Sequence, residues 1–304
     1  MKMNAKRISI ITPSLNRARM LESAVQSVLM QGYSNYEHII LDALSTDGTA
    51  ELVAKYPHIH FFSETDHGMY DALNKGIERS TGEIIGFLNT DDLYPKDIFL
   101  EVAKCFADEQ VMAVAGRALV LERLLEEEPV VVEEYSPDKN SLLEDSTIGS
   151  NYFNAWFFHR SVFEKIGRFN IDYRIIGDRE FMLRFALNGL KYVTIDKVTY
   201  HYYQHAGSLT FDKAGQKLEQ SALEHLKMTD SYLPDSNLSG PERKLLIRLR
   251  TRNSVEMAAR SLGKWKAKDF IFYVVDGIGH DIGWIPEFLG FVLRQVLKMF
   301  SKRK

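Results

Sequence analysis

The chain has 304 residues, 45% hydrophobic and 26% charged, with a formal net charge of −3. This length holds one large domain or two modest ones, the composition is that of a globular protein, and the charge gives no basic field for nucleic acid. A single cysteine, Cys105, excludes an internal disulfide, and no stretch reaches the ~18 uninterrupted apolar residues of a membrane span. The apolar run Ile8–Thr12 is too short for a signal peptide, so a cytoplasmic protein is expected.

Strand and helix alternate over about the first 115 residues, at the spacing of βα units in a parallel sheet. Strands are expected at Ile8–Thr12, His38–Asp42, Ile59–Ser63, Ile84–Leu88 and Val111–Ala115. Between them, helices are expected over Met20–Met30, after Ser45-Thr46-Asp47-Gly48-Thr49, over Tyr70–Arg79 and from Pro95, a residue favoured at the first helical position. The acidic segment Leu121–Asp145 reads as a surface excursion with a strand at Val130–Val132. Aromatic residues crowd Tyr152–Phe158, and a helix is expected over Arg179–Leu187. After Tyr203 the character turns helical, through Leu218–Met228, Glu242–Ala259 and a last segment from Trp284. The expected organisation is an α/β domain over 1–210 and a helical extension over 211–304.

In open α/β sheets ligands bind outside the carboxyl ends of the strands. Those ends carry Pro13 and Asn16 after the first strand and Asp42 on the second. Glu64 and Asp66 follow the third, and Asp91 and Asp92 the fourth. Adjacent like charges are unfavourable unless something positive joins them, and a hard divalent cation with oxygen ligands commonly brings a substrate's phosphates with it. The plainer alternative for Asp91-Asp92 is a solvated turn that starts the next helix. No G-x-G-x-x-G follows the first strand and no G-x-x-x-x-G-K-[ST] occurs, which argues against a dinucleotide dehydrogenase and a P-loop enzyme.

Ile8-Ser9-Ile10-Ile11-Thr12-Pro13-Ser14-Leu15-Asn16 resembles the opening strand of family 2 nucleotide-sugar glycosyltransferases of GT-A fold. Ile40-Leu41-Asp42-Ala43-Leu44-Ser45-Thr46-Asp47-Gly48-Thr49 is similar to their base-binding signature, and Asn89-Thr90-Asp91-Asp92 to their acidic metal motif. The run Glu64–Gly76 resembles a subgroup that builds bacterial surface polysaccharides, and Tyr173–Phe181 the family's Glu-Asp motif at a helix start. The resemblance covers about Ile8–His205. It implies a GT-A fold, a Rossmann-like and mostly parallel sheet flanked by helices, and an inverting transfer from a nucleotide-sugar donor, UDP-linked, to a saccharide or lipid-linked acceptor. It further implies that Asp42 accepts from the base's ring N–H, with Thr12 and Pro13 lining the base pocket. Asp91 would contact the ribose, Asp92 would bind Mn²⁺ or Mg²⁺, and Asp178 would be the general base. Asn16 and Asp66 join the donor-binding set. The chain departs from the pattern at Ala43, Leu73, Asn89 and Gly177. A helix cap is the alternative for Asp178.

Lys75 is the nearest cation for a phosphate, or else a solvated lysine. His205, beside Gly207-Ser208, is a further metal candidate and His201 a weaker one, although a lone histidine is more often structural. Trp156 and Asn154, with Tyr152, are candidates for an acceptor platform, since sugars stack on aromatic faces, while Phe157 and Phe158 read as core. At the C-terminus, Ile285, Phe288, Leu289, Val292, Leu293, Val296, Leu297 and Phe300 fall at helical spacing beside Arg294, Lys298, Lys302, Arg303 and Lys304. That segment is either a helix packed on the protein or an interfacial helix on an anionic, inner membrane face. Two other functions compete: a sugar-phosphate nucleotidyltransferase, which should carry a Gly-rich basic loop where Pro13-Ser14-Leu15-Asn16-Arg17 stands, and a catalytically silent nucleotide-sugar-binding protein.

Overall fold

The structure, a computed structural model, describes residues 6–122, 129–138, 140–204, 216–281 and 283–291. Ile8–Ser14 (β1), Tyr36–Asp42 (β2), Ile59–Ser63 (β3) and Ile84–Phe87 (β4) form parallel pairs in the order β3-β2-β1-β4. Nearly every residue of β1 and β2 is buried, as in strands covered on both faces, so they read as apolar runs without alternation. The connections are helices Ala18–Leu29 (α1), Thr49–Val53 (α2) and Met69–Arg79 (α3). Along α3, Tyr70, Leu73, Gly76 and Ile77 recur at helical spacing and are buried. A Cβ on Gly76 would lie 2.4 Å from Ile11 Cγ2, so glycine is what lets α3 approach β1 this closely.

Beyond β4 the sheet departs from the expected parallel pattern. Trp156–His159 (β7) pairs antiparallel with both β4 and Ala113–Glu122 (β5), and so separates two strands that sequence order would make neighbours. Val130–Tyr135 (β6) runs antiparallel to the second half of β5, and Tyr192–Gln204 (β8) parallel to it. β5 runs on past the expected Ala115 through Gly116, where it packs closely against β8. A Cβ there would lie 2.1 Å from Thr199 Cγ2, and the β5–β8 register shifts beside it. Helix Ile98–Cys105 (α4) starts after Asp97, three positions beyond Pro95, at a left-handed residue with φ 60°. Short helices Leu142–Asp145 (α5) and Ser161–Lys165 (α6) precede Gly177–Leu187 (α7). Under the sheet, Phe153, Phe158, Phe169 and Phe181 pack with ring centroids 4.9–5.9 Å apart. These contacts join α7 to β7.

The chain divides into two compact units: Met1–Leu142 with Ser150–Phe211, and Leu143–Gly149 with Asp212–Lys304. The second holds helices Gln216–Tyr232 (α8), Gly240–Gly263 (α9) and Ala267–His280 (α10). Ser239 and Glu242 form a reciprocal capping box at the start of α9. Arg250 on α9 is buried and bonds Asp230 on α8 at 2.9 Å and Asp276 on α10 at 2.7 and 3.1 Å. α10 was not expected. Phe270, Tyr273 and Val274 pack inward while Ile271, Phe272 and Val275 are exposed, so the sequence shows no single apolar stripe. Trp284 is buried, stacked on Phe288 at 4.9 Å and bonded to Ser254, so the start of the last segment packs within this unit. The five basic residues expected at its end lie outside the described residues. Among the described residues no helix is long and apolar enough to cross a membrane.

Candidate active site

The loops after β1 and β2 are tied together by polar bonds. Asn16 N–H donates to Ser45 Oγ at 2.7 Å, Thr46 N–H to Asn16 Oδ1 at 2.9 Å, and Ala18 N–H to Asp47 Oδ2 at 2.9 Å. Asn16 sits at φ 51°, a left-handed conformation that asparagine tolerates. It therefore shapes the rim by joining the two loops. At the base of this double loop Asp42 is 3% exposed. Its Oδ2 accepts from Ser45 N–H at 2.9 Å and Ser63 Oγ at 2.7 Å, whereas Oδ1 is buried with no partner. Ser14, its register neighbour on β1, has a buried Oγ that is also unpartnered. Buried polar groups are rarely left unpaired, so a donor and an acceptor orphaned side by side point to a polar ligand. Pro13 beside them is partly exposed. Thr12 is corrected: it is fully buried and its Oγ1 lies 2.9 Å from His38 Nε2, so its side chain faces the interior.

The loop from β3 to α3 is organised by its own charges. Glu64 holds Arg79 through two bonds of 2.9 Å. Asp66 Oδ1 accepts from Gly68 N–H at 2.8 Å, and Asp71 Oδ2 from His67 N–H at 3.0 Å. Lys75 donates to the Thr65 carbonyl at 2.6 Å and pairs with Asp71 at 3.1 Å and Glu64 at 3.6 Å. Two carboxylates thus already offset its charge, and Lys75 serves to hold the loop. Asn74, not singled out from the sequence, bonds both backbone groups of Phe169, at 2.9 and 3.0 Å.

At the end of β4 the two aspartates separate. Asp92 is fully buried. Its Oδ2 accepts from Tyr200 Oη at 2.7 Å and Asn89 Nδ2 at 3.0 Å, and its Oδ1 from Tyr203 N–H at 2.8 Å. Burial, reinforced by the Asp91 charge, pushes its carboxyl up to about 7 against these three hydrogen bonds. In this arrangement Asp92 clamps the end of β8 to the loop after β4. Asp91 is the partly exposed carboxylate of the pair. Among the described residues no three His, Cys, Asp or Glu side chains gather around a common point. A cation here would fit Asp91 with ligand phosphates and water, as Mg²⁺ commonly does. His201 pairs its backbone with Leu93, and His205 lies outside the described residues.

Asp178 stands inside the first turn of α7, whose N-cap is Ile176, so it is not the cap. It is half-buried, and its Oδ1 accepts from Arg179 N–H at 2.8 Å and Tyr70 Oη at 3.0 Å. Burial raises its pKa, and those two hydrogen bonds oppose the rise. A cavity of about 340 Å³ opens beside Tyr70, lined also by Asp66, Asp71, Tyr173 and Arg174. It brings the β3–α3 loop and the segment before α7 to one place. Tyr70 was missed because a tyrosine on the apolar face of a helix reads as core. Trp156 is corrected as an acceptor platform: it is 1% exposed and stacked on Phe158 at 6.2 Å. Asn154 is half-buried in the turn before β7.

An α/β sheet with helices on its faces and a polar rim at the strand ends is the architecture of a GT-A glycosyltransferase. The family model for glycosyl transferase family 2 matches residues 9–167, just over half of the chain, and the chain belongs to that family. A PGL/p-HBAD biosynthesis glycosyltransferase of Mycobacterium bovis is 27% identical over 201 residues, covering 60% of this chain and 70% of that protein. The putative teichuronic acid biosynthesis glycosyltransferase TuaG of Bacillus subtilis is 39% identical over 95 residues, 30% of this chain and 38% of that one. Among solved structures, S. aureus TarS 1-349 in complex with UDP-GlcNAc has a TM-score of 0.67 at 14% identity, covering 90% of this chain and 81% of its own. The mannosyltransferase PcManGT of Pyrobaculum calidifontis, in complex with GDP-Man and Mn²⁺, has a TM-score of 0.56 at 18% identity, covering 94% and 88%. At those identities the likeness is one of fold.

Proposed function

We propose that the protein moves a sugar from a UDP-linked donor to a hydroxyl of a saccharide or lipid-linked saccharide in the assembly of a surface polysaccharide. The observation that carries this reading is the orphaned Asp42 Oδ1 beside the orphaned Ser14 Oγ. Uracil presents a ring N–H next to a carbonyl, which suits an acceptor next to a donor. Cytosine presents the reverse pattern on that edge. The relatives add support: TuaG is named for teichuronic acid biosynthesis, and TarS has been solved with UDP and UDP-GlcNAc.

Asp178 acts as general base. The acceptor oxygen attacks the anomeric carbon from the face opposite the leaving group, so the configuration inverts. Its proton passes to Asp178, and the electrons of the broken C–O bond leave with the diphosphate. A raised carboxyl pKa suits this role, since a stronger base takes the proton more readily at neutral pH. Asp91 is the residue to hold Mn²⁺ or Mg²⁺, which when bound offsets charge on the departing diphosphate. PcManGT, a neighbour of similar fold, has been solved with GDP-Man and Mn²⁺.

Calorimetric titration with UDP, CDP and GDP, with and without Mn²⁺, tests the reading. UDP should bind more tightly than CDP, and Asp91→Asn should remove most of the metal's contribution. Equal affinity for UDP and CDP would refute the base assignment.

A further inference from the structure

Tyr70 lies against the first turn of α7 because residue 177 is glycine. A Cβ at Gly177 would sit 2.7 Å from Tyr70 Cδ2 and Cε2 and 2.9 Å from Cζ, closer than side-chain carbons approach. Phe169 closes another side of the ring, with centroids 5.5 Å apart, and Tyr70 is 3% exposed. Held this way, the phenol has one direction in which to extend its hydroxyl. That oxygen lies 3.0 Å from Asp178 Oδ1 and 3.0 Å from the Ile175 carbonyl oxygen. A phenol has a single hydrogen to share between these two acceptors.

Building on the glycosyl-transfer reading, we propose that Tyr70 is a positioning residue that orients the Asp178 carboxylate for proton abstraction, with Gly177 as the gap that admits its ring. Two donors meet on Oδ1, the Arg179 N–H at 2.8 Å and the Tyr70 hydroxyl. Together with the residue's own backbone N–H they fix the plane of the carboxylate, and Oδ2 is assigned to receive the acceptor's proton. When Asp178 becomes protonated, the phenol hydrogen can rotate to the Ile175 carbonyl. No proton leaves Tyr70 in either state, and the hydroxyl keeps a partner in both. The ionisable groups acting on Asp178 are Tyr70 from α3 and Arg179 on its own helix, both favouring the carboxylate against the effect of burial. Removing the phenol oxygen therefore disturbs both the orientation and the charge of the base.

Tyr70→Phe deletes that oxygen and keeps the ring. In an assay of UDP release from UDP-sugars with saccharide acceptors, kcat should fall about 10- to 100-fold, the range set by loss of orientation. The donor KM should stay within about two-fold, because the lost contact serves the chemical step. The acid limb of the kcat–pH profile should move to higher pH, a displacement that a packing role alone would not produce. Gly177→Ala should reproduce the loss by displacing the ring. If that variant fails to fold, as thermal melting will report, Tyr70→Phe decides alone. A Tyr70→Phe enzyme with wild-type kcat and an unmoved acid limb, in an assay where Asp178→Asn is inactive, overturns the positioning role and leaves the base in place. Should Asp178→Asn itself transfer at the wild-type rate, the base assignment has failed and the role of Tyr70 falls with it.

Discussion

Asp42 and Asp92 both stand at strand ends, both are at least 97% buried, and yet they do opposite things. Asp92 spends both oxygens on Tyr200, Asn89 and Tyr203. Asp42 spends one on Ser45 and Ser63 and keeps the other unpaired beside an unpaired serine. Three hydrogen bonds spread over both oxygens tie Asp92 to the fold, whereas Asp42 holds one oxygen for something that arrives later. Position on the rim alone does not separate the two aspartates; their hydrogen bonds do.

The largest effect should come from a third aspartate that is neither sealed nor orphaned. Asp178→Asn keeps the shape of the side chain but cannot take a proton, and turnover should fall on the order of 10²- to 10⁴-fold while UDP affinity stays near wild type. Turnover close to wild type would reduce Asp178 to a structural residue. Next in size is Asp92→Ala, which strands three donors at once, the Tyr200 hydroxyl fully buried and the other two partly so. It should cost about 3 kcal/mol or more of stability, read as a lower melting temperature. The carboxyl of Asp92 also sets a pH dependence. Its folded pKa of about 7 lies above the ordinary 3.8, so the native state holds this proton more tightly than the unfolded chain. Asp92 therefore makes stability fall as pH rises from about 4 to about 7, and Asp92→Asn should flatten the curve across that window. A curve of unchanged slope in the variant would contradict the assignment.

The comparison also shows what a sequence can and cannot carry. Strands β1, β2 and β4 were legible because continuous apolar runs ending in polar residues are the mark of a strand buried on both faces. The insertion of β7 between β4 and β5 was not, since long-range pairing leaves no local pattern. Asp42, Asp91, Asp92 and Asp178 were all visible in the sequence as acids at strand ends or at a helix start. Which of Asp91 and Asp92 points outward depended on Tyr200 and Tyr203, more than 100 residues away, and no spacing rule reaches that far. Lys75 shows a related limit. Its charge is visible in the sequence, but the carboxylates of Glu64 and Asp71 that offset it become its neighbours only in the folded loop.

Asp42→Asn turns to the orphaned side of the comparison. The amide keeps one acceptor oxygen for the two contacts that hold the loop, and places an NH₂ where Oδ1 stood. That donor would face the ring N–H of uracil, so UDP should bind about 10- to 100-fold more weakly, or about 1.4 to 2.8 kcal/mol. Stability should change far less than in Asp92→Ala. A melting temperature that drops as far, with UDP affinity intact, would show that the two aspartates are both structural.

Ser14→Ala should give the smallest change and the sharpest sign. The Ser14 hydroxyl is buried without a partner, so the free protein bears its desolvation cost with no return. Removing the oxygen should raise the melting temperature slightly, by the equivalent of up to about 1 kcal/mol. The same change deletes the donor proposed to meet a uracil carbonyl, and UDP affinity should fall a few-fold. Structural residues lose stability when truncated, so a variant that gains stability while losing ligand marks a residue kept for binding. Thermal melting and UDP titration on the one variant give both signs. If Ser14→Ala lowers the melting temperature and leaves UDP binding unchanged, the hydroxyl belongs to the fold, and the contrast between the two strand ends narrows to Asp42 alone.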